Sequence, residues 1–474
     1  MKKSKAAKGQ HKNTMNRRKF LGTASCAAIG TTTFFSSLFN LGMTNEAAAR
    51  SSVVNKDYKA LVCILLAGGN DSFNMLIPND AGTYAEYATT RANLAIKKDH
   101  ILGLKPLVTG QPMLGLHPSM PEVQELFNKG DVAFLANVGT LVQPTSKAQY
   151  TNQSVSLPLG LFSHADQIQQ WQTSIPQSRA AYGWGGRMAD ILQSMNTNQN
   201  ISMNISLSGR NVFQSGNKIA EYSIEPRGLG SVGIRDYGGD DMLDQIRTTA
   251  VKSLMEQQYA DVFTKAYADV VSGSQATHEI FSKAIQQVNV KTVFSKNEIS
   301  QSLQMVAKTI AARKSLNVNR QTFFITFGGW DHHDRVLKSQ RKMLAVLSKA
   351  LKEFNTAMQE LQTHHEVTTF TISDFGRTLT SNGNGTDHAW GGNVMMMGGK
   401  VKGGKVYGKY PSLALNSHLD VNNGVLLPTT STDEYFAELA RWFGVSNTDL
   451  ADIFPNLRHF YSLGSTPPIG FMAS

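Results

Sequence analysis

Residues Thr322 to Arg335 read TFFITFGGWDHHDR. The first six are apolar, aromatic or β-branched without a break, at the length of a buried strand. Two glycines follow, and then Asp331, His332, His333 and Asp334. A strand that is hydrophobic on both faces is expected in a sheet covered by helices on both sides. In such open α/β sheets ligands gather at the carboxyl ends of the strands. A single Asp at a strand end is usually a turn or helix cap. The fold and the function therefore turn on what the other strands deliver to the same edge.

Three more segments have this character: ALVCILLA (60–67), DVAFLANV (131–138) and TTFTIS (368–373). Helical patterns lie between them. Residues 119–129 offer a Ser cap and Pro121 in the first turn. In 336–362, Met343, Leu347, Ala350, Phe354, Met358 and Leu361 recur at three- and four-residue spacing, with Lys338, Lys342, Lys349 and Glu353 off the stripe. Residues 241–316 are largely helical in pattern, and 431–444 has a helix start and a Gly stop. The stretch 195–235, rich in Asn, Ser and Gly, reads as strands and loops inserted into the main domain. Strands alternating with helices make an α/β fold with a largely parallel sheet.

The strand ends form a pattern. ALVCILLA runs into GGNDSFN with Asp71, and TTFTIS into DFGRT with Asp374 and Arg377. The loop NGNGTDHAWGG adds Asp387 and His388. Converging carboxylates repel one another unless a cation relieves them. Mixed Asp and His ligands suit zinc, manganese or iron better than calcium. DVAFLANV leads through a long loop to LFSHADQIQQWQT (161–173). There Ser163 is either a nucleophile activated near a metal or a helix cap, and Thr140, just after the strand, is the competing hydroxyl. Arg377 is either an anion-binding fork or one half of a salt bridge.

Six motifs in order across nearly the whole chain resemble the exported "domain of unknown function 1501" family. They are GGNDSFN (68–74), LHP (116–118), SHADQ (163–167), GGWDHH (328–333), SDFGRT (373–378) and GTDHAWGG (385–392). The resemblance implies an alkaline phosphatase-like fold, shared with sulfatases and phosphopentomutases. Those enzymes place Asp and His ligands from strand ends around two divalent metals beside a Ser, Thr or Cys nucleophile; for this chain the resemblance implies one or two ions. It points to Asp71, Asp331, His333, Asp374, Asp387 and His388 as ligands, zinc or manganese as the ion, and Ser163, His164 and Arg377 as catalytic groups. Two features depart from the pattern. Phe375 stands where a histidine usually follows the SD aspartate, and Asp331 and His333 are spaced more closely than the ligands of those enzymes.

The first 49 residues read as a leader. A basic start leads through NRRKFLG (16–22) into a weakly apolar run to Leu41 and a small-residue exit at Ala47-Ala48-Ala49. The Arg17-Arg18 pair resembles a twin-arginine signal, implying that export machinery as partner and a periplasmic or extracellular destination. Eight Lys and Arg against Glu46 place seven of the eleven formal positive charges in this leader. The remainder carries too little charge for a nucleic-acid surface. The leader's run is also too polar for a good membrane span, so no stable span is expected in the mature protein. One cysteine, Cys63, is left in the mature chain, within an apolar run, and reads as a small buried hydrophobe.

Two functions fit these features. One is a metal-dependent hydrolase of small anionic phosphate or sulfate esters, using a Ser or Thr hydroxyl or water. The other is a non-catalytic metal-binding or cell-surface assembly protein on the same fold.

Overall fold

The computed structural model describes residues 57–464 and 466–473; the leader lies outside them. The described residues fall into two units, 57–231 with 280–473, and 232–279. The smaller unit is helical, with Met242–Glu256 and the first part of Val262–Gln286. Asp241 caps the first of these by accepting from the N–H groups of Leu243 and Asp244.

The larger unit is built on a nine-stranded sheet. In chain order its strands are β1 (Lys59–Ala67), β2 (Val132–Gly139), β3 (Asn204–Ser206), β4 (Tyr222–Ser223), β5 (Arg320–Gly328), β6 (Val367–Ser373), β7 (Gly392–Met397), β8 (Val406–Tyr407) and β9 (Thr430–Ser431). The spatial order is β8-β2-β7-β6-β1-β5-β3-β4, with β9 beside β2. Only β7 runs against its neighbours, β2 and β6; the other pairings are parallel. All four segments expected as buried strands are present. Within 195–235 lie short strands and loops, and Asn204–Ser206 pairs with β5 as part of the main sheet.

Alternation along β1 explains the two covered faces. Ala60, Val62, Ile64 and Leu66 point into one core, and Leu61, Cys63 and Leu65 into the other. The first core is closed by α2 (Pro121–Lys129), α5 (Glu298–Ala311) and α6 (Val336–Glu360). The second is closed by α4 (Trp184–Leu192) and α7 (Thr432–Phe443), with Trp184 stacked 4.8 Å from Phe436. Each fully buried large apolar side chain there contributes about 1.5–3 kcal/mol. Cys63 is buried in this second core as a small hydrophobe, and burial pushes its thiol well up. Two further helices, α1 (Ala81–Arg91) and α3 (His164–Thr173), carry residues to the site.

The stripe expected on α6 faces the core through Leu347, Ala350, Phe354 and Met358. Ser431 and Glu434 form a capping box at the start of α7, and Gly444 ends it. One cap is corrected. The N-cap of α2 is Met120 without a side-chain bond; Pro121 fills the first helical position, and Ser119 instead donates its N–H to His117 Nδ1. Among the described residues no helix is long and apolar enough to cross a membrane.

Candidate metal centre

β6, β1 and β5 are parallel neighbours, with Ala67 opposite Gly328 and Leu66 opposite Ser373. The turns after them therefore leave one edge side by side. Gly68 and Gly69 start the first turn at φ +119° and +84°. A Cβ on Gly68 would lie 2.4 Å from the backbone nitrogen of Asp331. Only glycine permits both that backbone angle and that approach.

Three imidazoles meet over these turns. His164 is the first residue of α3, His333 follows β5, and His388 sits in the loop before β7. Each ring uses Nδ1 on an oxygen. His388 Nδ1 donates to the carbonyl of Phe162 at 2.7 Å, His333 Nδ1 reaches Asp387 Oδ1 at 3.0 Å, and His164 Nδ1 reaches Asp374 Oδ2 at 2.6 Å. A neutral ring that donates from Nδ1 has only a lone pair at Nε2. The three Nε2 atoms face one another and one carboxylate. His333 Nε2 is 2.9 Å from His388 Nε2 and 3.0 Å from Asp331 Oδ1. His388 Nε2 lies 3.5 Å from Asp331 Oδ1, and His164 Nε2 lies 3.4 Å from Asp331 Oδ2. His164 Nε2 is buried without a hydrogen-bond partner. Ligand atoms of His164, Asp331 and His388 all fall within 4.8 Å of one another.

The electrostatics suit this arrangement. Burial pushes His388 down, which keeps its ring neutral and its lone pair available. Burial would raise Asp331, but the hydrogen bond and charge of Arg377 outweigh it and hold the carboxyl below its ordinary range. Burial raises Asp374, against the N–H of Gly68 bonded to Oδ1 at 2.9 Å and against His164. The Asn382 amide and His333 hold Asp387 down.

The site residues expected from the sequence divide into groups. Asp331, His333 and His388 come together, with Asp331 Oδ1 shared with Arg377 and the two Nε2 atoms 2.9 Å apart. Asp374 and Asp387 touch the rings from behind and orient them, as carboxylates behind metal-bound histidines do. His164, expected as a catalytic group, presents a donor atom like the other two. Asp71 is not brought to the cluster. It is buried and forms an ion pair through Oδ2 with the fully buried Arg91 at the end of α1. Arg377 is buried and bonded to Asp331 Oδ1 at 2.8 Å, to the carbonyl of Gly68 at 3.4 Å and to the carbonyl of Thr386. Its donors are spent on the protein.

The hydroxyls are committed too. Ser163 Oγ caps α3 by accepting from the N–H of Asp166 at 3.4 Å. Thr140 is fully buried and donates to Gln170 Oε1 at 3.1 Å. Phe375 fills the floor, its ring centroid 4.8 Å from that of His164 and 4.6 Å from that of His388. Sequence reasoning does not find Arg91 or the Phe162 carbonyl. A backbone acceptor leaves no mark in side-chain identity, whereas Arg91 at the end of a helical pattern was a weak available signal.

The fold and site together define an α/β protein with a histidine-rich candidate metal centre on the carboxyl edge of a largely parallel sheet. The chain belongs to the family described as protein of unknown function (DUF1501), whose profile matches residues 58–454. Similar solved structures include a sulfatase from Pseudoalteromonas sp., 13% identical over 88% of this chain and 72% of that one, at a TM-score of 0.33. Another is the lipoteichoic acid synthase LtaP from Listeria monocytogenes, at 8% identity, 82% and 73% coverage and a TM-score of 0.33. A third is the soluble domain of lipooligosaccharide phosphoethanolamine transferase A from Neisseria meningitidis, at 9% identity, 88% and 94% coverage and a TM-score of 0.34. No curated protein matches the chain.

Proposed function

We propose that the protein is an exported, metal-dependent hydrolase of small phosphate or sulfate esters, working at His164, Asp331, His333 and His388. One observation carries the reading. Nε2 of His333 and Nε2 of His388 face each other at 2.9 Å beside Asp331, while both Nδ1 atoms are already bonded to oxygens. Facing acceptors repel unless a proton or a metal ion sits between them, and the Asp331 carboxylate and His164 Nε2 beside the pair favour the metal ion. Three imidazoles and a carboxylate are a donor set for zinc, with manganese the alternative. A divalent ion held there supplies Lewis-acid polarisation of an ester oxygen.

The protein's own groups then have defined tasks. Asp374, Asp387 and the Phe162 carbonyl fix the tautomers of the three rings. Arg377 restrains Asp331, and Phe375 excludes water beneath the rings. Asp331 and His333 are each 44% exposed, so the upper side is open to a small substrate. With Ser163 and Thr140 committed, water is the attacking group in this reading. The leader motif around Arg17-Arg18 supports export by the twin-arginine route to the periplasm or beyond.

The test is elemental analysis of the purified mature protein, followed by assays on an aryl phosphate and an aryl sulfate with added zinc or manganese. Stoichiometric metal, and turnover lost in His388→Ala, is the expected result. Protein that takes up no metal and turns over neither ester overturns the reading. The commitment of both candidate hydroxyls favours a second reading, a non-catalytic metal-binding or assembly protein. Full metal occupancy with no turnover of either ester selects it.

A further inference from the structure

We infer that the centre takes a single divalent cation per chain, and that the buried Arg91–Asp71 pair replaces a second cation with a fixed guanidinium charge. This rests on the metal reading above and adds the number of ions and the fate of the first-strand carboxylate.

The turns beyond β1, β5 and β6, the start of α3 and the loop before β7 carry the carboxylates of Asp71, Asp166, Asp331, Asp334, Asp374 and Asp387 and the rings of His164, His332, His333 and His388. Asp166 is held by Arg179, and Asp334 by Asn384 and Arg335. Asp374 accepts from Gly68 N–H on one oxygen and from His164 on the other. Asp387 Oδ1 takes His333 Nδ1 and the Asn382 amide, the latter at 2.9 Å. What stays open is Asp331 Oδ2 and the Nε2 atoms of His164 and His388, groups whose ligand atoms lie within 4.8 Å of one another, with His333 Nε2 2.9 Å from that of His388; this is one donor set, for one ion.

Asp71 is the remaining strand-end carboxylate that a second ion would use. Its Oδ2 is held by Arg91, and Arg91 is tied down on every nitrogen. Nη1 donates to the carbonyls of Thr378 and Leu379 at 2.9 and 3.2 Å, and Nε donates to Asn74 Oδ1 at 3.1 Å. A guanidinium does not lose its charge in a protein. The pair is therefore neutral as it stands, and an incoming cation would meet a fixed positive charge. Asp71 Oδ1 and both ring nitrogens of the buried His332 have no hydrogen-bond partner. They are too few to complete a second divalent site beside that charge, and they fit an uncharged hydrogen-bonding molecule such as water.

The experiment loads the mature full-length protein with zinc, and separately with manganese, removes excess ion, and measures metal per chain. Calorimetric titration of the stripped protein counts sites independently. One equivalent is expected, lost in His388→Ala and retained in Asp71→Asn and in the double variant Asp71→Leu/Arg91→Met, which removes both charges together. Two equivalents, or loss of metal from a folded Asp71→Asn or His332→Ala protein, overturns the inference but leaves the hydrolase reading standing. No equivalent at all overturns both. Should the Asp71 variants fail to fold, the count on the unaltered protein decides.

Discussion

Arg377 Nη1 lies 2.8 Å from Asp331 Oδ1, and the guanidinium that makes this bond is almost wholly buried while the carboxylate is nearly half exposed. The same side chain bonds the carbonyls of Gly68 and Thr386. It thus ties together the turns after β1, β5 and β6 and the loop before β7. Arg377→Lys keeps the charge and loses the planar fork. We expect metal affinity to fall about 10- to 100-fold, as when an oriented outer partner is removed, measured by competition with a chelator. Unchanged affinity would reduce Arg377 to a scaffold residue. Arg377→Met leaves the carbonyls of Gly68 and Thr386 without this donor and should cost about 1–3 kcal/mol of stability as well, water taking over the half-exposed Asp331 carboxylate.

Gly68→Ala should misplace Asp331. The residue sits at φ +119°, and its new Cβ would come 2.4 Å from Asp331 N and 2.8 Å from Trp330 C. Those are backbone atoms, so the turn after β5 must shift. The expected outcome is a lower melting temperature with a stability loss above ~1 kcal/mol and weakened metal binding. Gly328→Ala is the control, because nothing lies within 4 Å of its Cβ position. Equal behaviour of the two variants would refute the close-approach argument.

Phe375→Ala should loosen two rings of the candidate metal centre at once. The phenyl ring lies against both His164 and His388 and is 1% exposed. Truncating a buried Phe costs about 3–5 kcal/mol through lost burial and the cavity left behind. Phe375→Leu refills part of that space at smaller cost. The prediction is that stability and metal affinity recover together in the Leu variant. Recovery of stability alone would mean that the ring does not position the histidines.

The parts of this fold that can be read from sequence are those carried by local pattern. Continuous apolar runs mark β1, β2, β5 and β6, and the stripe through Leu347, Ala350 and Phe354 marks α6. Strand ends rich in Asp and His mark the edge of the sheet where the three rings meet. β7, GNVMMM, escapes because it begins with Gly-Asn and carries Met where β-branched residues would signal a strand. Long-range pairings escape for a different reason. Asp71 and Arg91 are 20 residues apart, and Arg377 and Asp331 are 46. Nothing local shows that the first carboxylate faces a buried cation while the second faces three rings. His164 reaches the cluster only because its helix starts beside strands far away in the chain.

Asp433 offers a pH test independent of the metal. It lies in the first turn of α7, fully buried, and neither carboxylate oxygen has a hydrogen-bond partner. Burial pushes the carboxyl up to about 8; Ser174 opposes this, Glu434 adds to it and Arg187 opposes it. The folded chain therefore holds this proton more tightly than the unfolded chain, whose Asp titrates near ~3.9. The stabilisation is complete below that unfolded value and is lost as pH rises through about 8. Between these limits the loss approaches about 1.4 kcal/mol per pH unit. Asp433→Asn keeps the shape without the ionisation. It should flatten the decline and be more stable than the unaltered protein at alkaline pH. Urea unfolding of both proteins from about pH 5 to about pH 9 measures the difference. Parallel curves would mean that Asp433 gives up its proton without cost, through water reaching it or through Arg187 turning towards it.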